Sequence, residues 1–68
     1  MRDWQTVYSD NQEHRADIVL AVLEDKGMSP VKINKQVSQH GFGNFEIFVS
    51  PDHVIRAIKI IKEEIKFE

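Results

Sequence analysis

The sequence predicts an α+β domain of order β-α-β-β-α, with two helices covering one face of a three-stranded sheet. Three observations point there. Short β-branched or aromatic runs fall at residues 4–8, 31–34 and 45–49. Two longer segments, 11–26 and 51–67, carry apolar residues at helical spacing. Cap and turn residues punctuate them: Ser9-Asp10, Gly27, Pro30 and Ser50-Pro51.

The first strand, WQTVY, ends at Ser9-Asp10. Asp10 with Glu13 three residues later fits a capping box, in which a side-chain oxygen accepts from an orphan helix N–H. Gly27 stands where a left-handed C-terminal cap is favoured. Pro30 cannot continue the helix, and VKIN at 31–34 alternates apolar and polar as a second strand. Residues 35–44, KQVSQHGFGN, read as a loop, and FEIFV at 45–49 as the third strand. Ser50 as cap and Pro51 at the first helical position start the second helix. The first strand, first helix and a later parallel strand should form a right-handed crossover, and the second and third strands a hairpin. The ferredoxin-like solution puts the third strand in the middle, with the first beside it. No sequence remains for the usual fourth strand, so the first strand keeps an unpaired outer edge.

Alternation assigns the faces. Taking the apolar members as inward places Val31, Ile33, Phe45, Ile47, Val49 and Val7 against the helices. The helix-free face would then carry Trp4, Thr6, Tyr8, Lys32, Asn34, Glu46 and Phe48, an interface candidate with three aromatics. Stepping about 100° per residue gives stripes of Ala16, Val19, Leu20 and Leu23 on one helix. The other helix shows Val54, Ala57, Ile58, Ile61 and Ile65, with Ile60 and Phe67 on a flank.

Composition narrows the functional classes. Sixty-eight residues suit one domain, 1–68, with a marginal core. The absence of cysteine excludes disulfides and thiolate metal sites, leaving tight packing or self-association to supply stability. A net charge of −2 argues against phosphate-backbone binding. No apolar run approaches the roughly 20 residues of a membrane span, and MRDWQTVYSD has no apolar signal-peptide region. A cytoplasmic protein without membrane contact is expected.

Catalytic signals are lacking. His14, His40 and His53 do not share the i, i+4 spacing of a helical zinc site. No serine has a histidine at motif spacing, and Gly41-Phe42-Gly43 is too short for a dinucleotide loop. No catalytic residue, metal or cofactor is assigned. The ten-residue loop is long for a hairpin, and its Lys35, Gln39, His40 and Phe42 are candidate partner contacts.

Taken in order, several segments resemble a family of short bacterial proteins described as prokaryotic signal-transducing proteins. The matching stretches are Trp4-Gln5-Thr6-Val7-Tyr8, Ala16-Asp17-Ile18, Leu23-Glu24-Asp25-Lys26-Gly27, Val31-Lys32-Ile33-Asn34-Lys35 and Phe45-Glu46-Ile47-Phe48-Val49, followed by the helix containing Ala57. The resemblance implies a truncated ferredoxin-like, GlnB-like fold and a partner-contacting loop at residues 35–44. It carries over no catalytic residue. The expected function is a non-enzymatic regulatory or signal-transducing module. Its expected partners are itself, as a homo-oligomer, and an unknown protein or small ligand. The alternatives are a small-molecule sensor and single-stranded RNA binding through outward aromatics.

Overall fold

The computed structural model describes residues 3–37 and 42–67, with the backbone alone at 36, 37, 42 and 43. The chain runs β1 (Gln5–Asp10), α1 (Glu13–Asp25), β2 (Val31–Val37), β3 (Phe42–Val49), a 3-10 turn (Pro51–His53) and α2 (Val54–Glu64). The sheet order is β1-β3-β2, with β3 antiparallel to both neighbours. α1 lies across all three strands and α2 lies over β1. This is the expected α+β, truncated ferredoxin-like arrangement.

The core lies between sheet and helices. It comprises Ala16, Val19 and Leu23 of α1, Met28, Ile47 and Val49 of β3, and Ala57 and Ile60 of α2. Met28 joins it because of how α1 ends. Gly27 adopts φ 81°, its N–H donates to the Glu24 carbonyl at 2.9 Å, and the Met28 N–H donates to the Leu23 carbonyl at 3.2 Å. These two bonds satisfy the last helical carbonyls and fold Met28 back onto the helix.

Several element boundaries differ from the sequence reading. Asp10 is the last residue of β1, and α1 starts three residues later behind Gln12. No capping box forms; Asp10 Oδ1 instead accepts from the Gln12 N–H at 2.9 Å. A 3-10 turn precedes α2, and the Ser50 hydroxyl bonds His53 Nδ1 at 3.2 Å rather than a helical N–H. α2 stops at Glu64, not near Phe67, and Ile65 is extended at φ −110°, ψ 121°. The second strand is longer than expected. Ladder pairing runs through Lys35↔Asn44, Gln36↔Gly43 and Val37↔Phe42, so most of the expected 35–44 loop is strand. Only residues 38–41 separate the strands, and they lie outside the described residues.

α2 is also rotated from the expected stripe. Ile60 is buried at 7% exposure, whereas Ile58 is 45% exposed. Its buried residues are Ala57 and Ile60, while its apolar residues extend further round to Ile58 and Ile55.

Candidate functional site

The helix-free face of the sheet is set by register, because cross-strand partners share a face. Ile47 and Val49 are fully buried under the helices, so Phe48, Glu46 and Asn44 project the other way. Their partners on β2 are Val31, Ile33 and Lys35; their partners on β1 include Thr6 and Ser9. The face therefore carries Val31, Ile33 and Phe48 as an apolar row. Thr6, Ser9, Asn44, Glu46 and Lys35 surround it. The three apolar residues are half-buried and stand outside the group packed on the core.

Polar contacts brace this face. Thr6 Oγ1 donates to Glu46 Oε1 at 3.1 Å, and Lys35 Nζ lies 3.4 Å from the same oxygen. Lys35 Nζ also sits 5.7 Å from the Phe48 ring centroid. Asn44 Nδ2 donates to Ser9 Oγ at 2.7 Å.

Three residues expected on this face lie on the other. Lys32 pairs with Ile47 and Asn34 with Phe45, so both belong to the helix side. A one-residue difference in register reverses every side chain of a strand. Lys32 is accommodated there because its stem passes beneath α1 and its charge emerges beside acids. Nζ bonds Asp17 and Glu13, and lies 5.7 Å from the Phe45 ring centroid. Hydrogen bonds from Asp17 first, then Glu13, raise the Lys32 ammonium above its usual range.

Tyr8 is the third. The pairing jumps from Thr6↔Phe48 to Tyr8↔Ile47, making Val7 an extra residue in β1. Such a bulge lets two consecutive side chains take the same side. Val7 and Tyr8 both pack on the core. Tyr8 then meets the tail behind α2, with its ring centroid 6.0 Å from that of Phe67. Its hydroxyl donates to Asp10 Oδ2 at 2.6 Å. Burial, then the bond and charge of Asp10, push the Tyr8 phenol up to about 12. Donation from Tyr8, followed by the Gln12 N–H, holds the Asp10 carboxyl below its ordinary range. Arg15 completes the cluster, 3.8 Å from Asp10 and 5.4 Å from the Phe67 centroid.

Of the other expected residues, Trp4 precedes β1, half-buried and outside the core group. Alternation back from Thr6 puts it on the helix-free side. Lys35 belongs to the face rather than to a loop, and Phe42 opens β3 opposite Val37. Gln39 and His40 lie outside the described residues. Val31, Ile33, Ser9 and Asn44 were not expected here. For Lys32 a weak sequence signal did exist: Glu13 and Asp17 stand one turn apart on α1 as an acidic pair, and Lys32 is the cation that meets them.

Among the described residues no cluster of His, Asp and Glu is arranged to hold a metal ion, and no helix is long and apolar enough to cross a membrane. The groove beside the C-terminal end of α1, about 260 Å³, is lined by Lys26, Arg56, Lys59, Ile60, Glu63 and Glu64. The Lys26–Glu64 ion pair, 3.3 Å, lies within it. Comparison with known proteins brings no family model, no curated protein and no solved structure that matches this chain. The functional reading therefore rests on the residues themselves.

Proposed function

We propose that this chain is a non-catalytic regulatory module that self-associates through the helix-free face of its sheet. The observation that carries this reading is the apolar row of Val31, Ile33 and Phe48, half-buried and separate from the core. A sheet stable on one side gains by burying its other face, and two such faces stack at about 10 Å into a helix–sheet–sheet–helix sandwich. The shortest extent of the chain is 15 Å, the thickness of one sheet layer and one helix layer.

Size sets the strength. Three strands span about 14 Å and the ladder about 20 Å, giving a face well below the roughly 800 Å² per partner of stable complexes. The dimer is accordingly weak and reversible, as a concentration-sensing contact requires. Single-stranded RNA binding has less support, because Tyr8 leaves the face and removes one aromatic from a stacking platform.

Sedimentation velocity over a wide concentration range tests the proposal. The native chain should show a monomer–dimer equilibrium, and Phe48→Glu should remain a monomer with unchanged far-ultraviolet circular dichroism. A native chain that is monomeric at every concentration overturns the reading.

A further inference from the structure

We infer that the outer edge of β1, beneath the overhang of α2, is a groove that accepts one extended segment of a partner protein, apolar at alternate positions and acidic at one end. This site is separate from the helix-free face and rests on other observations.

The helix shows the first of them. Lys26–Glu64 and the groove containing Arg56 and Glu63 mark the side of α2 that meets α1. At about 100° per residue, Ile58 lies roughly 160° from Ile60, pointing away from α1. Ile58 is 45% exposed and Ile55 is 84% exposed, and the half-buried Val54 and Ile61 adjoin them. The apolar arc of α2 thus extends past β1, over a lane that holds no strand among the described residues. The edge beneath has no strand paired to it among the described residues. The bulge at Val7 divides it into two short pairing stretches, and its one charged residue, Asp10, is engaged by Tyr8 and Arg15. β1 carries neither Lys nor Pro, the commonest residues that guard an edge, whereas the opposite edge strand, β2, carries Lys32 and Lys35.

Geometry selects a single strand. Two helices side by side are about 20 Å wide, three strands about 14 Å and four about 19 Å. One added strand therefore matches the two layers. A second copy pairing through its own β1 would bring its own α2 over the same lane. The two helix axes would then lie within about 5 Å, far closer than the 8–10 Å of packed helices. Charge selects the composition. Lys62 flanks Ile58 and Lys66 follows in the extended tail; both are exposed, and neither forms an ion pair among the described residues. Both stand at the C-terminal end of α2, so acidic residues at the one end of the incoming segment that lies there would meet them. Backbone pairing to β1 would supply affinity and the α2 flank selectivity.

The probe is a panel of synthetic peptides of about seven residues, alternating Val, Ile or Phe with Thr and ending in Glu. Each is titrated into the isotope-labelled full chain and followed by NMR. Members of the panel should shift and protect the amides of Gln5–Asp10. Methylating their backbone nitrogens, or exchanging Glu for Lys, should weaken binding. Ile58→Ser, at an exposed position, should leave the fold intact and weaken binding about tenfold, the expected effect of losing one apolar contact. The proposal is overturned by a panel with no binder, or by N-methylated peptides that bind equally well. It is equally overturned by shifts confined to Ile33 and Phe48, or by a dimer abolished by Ile58→Ser rather than by Phe48→Glu. The last result would put a second copy in the lane.

Discussion

At the scale of single residues, Tyr8 shows how one backbone irregularity rewires chemistry. The bulge at Val7 turns the phenol from the helix-free face to the helix side, where Asp10 receives its proton bond. Burial and the carboxylate both favour the neutral phenol, raising it from 10.0 to about 12. A group whose folded value is raised stabilises the fold below its unfolded value and loses that contribution as pH climbs to the folded one. The Tyr8 contribution is therefore complete below pH 10 and fades towards about pH 12. Asp10 behaves oppositely: its value is depressed, so its contribution holds above 3.8 and fades as pH falls below it. Because Tyr8 is the only tyrosine, tyrosinate absorbance reports on it alone. The native chain should titrate near 12 and the denatured chain near 10. Tyr8→Phe should flatten the stability profile at both pH extremes. A native midpoint at 10 would show that the phenol does not bond Asp10.

At the scale of elements, the end of α1 isolates a purely backbone effect. A Cβ at Gly27 would meet no atom within 4 Å, yet φ is 81°. Gly27→Ala should cost about 1–2 kcal/mol in chemical denaturation through left-handed strain alone, and Gly27→Asn should cost less. An unaffected Ala variant would mean that the turn relaxes to another path. Gly27 was legible in the sequence because conformational demand is local, as were the order of elements and the stripe of α1. The faces of β2 and the side taken by Tyr8 on β1 were not legible. Apolar residues were read as inward, which holds for Val7, packed on the core, and for β3, where Ile47 and Val49 are buried. On β2 the ladder from Val37↔Phe42 decides the register, and it sends Val31 and Ile33 outward. That ladder starts within residues 35–44, a segment whose composition reads as loop. The bulge at Val7 has no signature in WQTVY. On the helix-free face, Thr6, Glu46 and Phe48 stand where the sequence put them, as does Trp4 by alternation, while Lys32, Asn34 and Tyr8 give way to Val31, Ile33, Lys35, Ser9 and Asn44.

At the scale of the whole molecule, the smallness of the core ties stability to the self-association proposed for the helix-free face. Folded chains hold about 0.05–0.15 kcal/mol per residue, or roughly 3–10 kcal/mol here. Leu23 is fully buried at the centre of an eight-residue cluster, and Leu23→Ala should cost about 2–5 kcal/mol. That loss is comparable with the whole stability, so the variant should be partly unfolded when dilute. A partner that binds only the folded state restores population in proportion to its concentration relative to Kd. When the partner is a second copy docked on Phe48, raising the protein concentration should return helical circular dichroism to the Leu23→Ala chain. Adding Phe48→Glu should abolish that recovery without deepening the unfolding in dilute solution, because Phe48 stands outside the core. Recovery that persists in the double variant would move the contact away from the helix-free face. A folded fraction independent of concentration in the single variant would separate stability from assembly altogether.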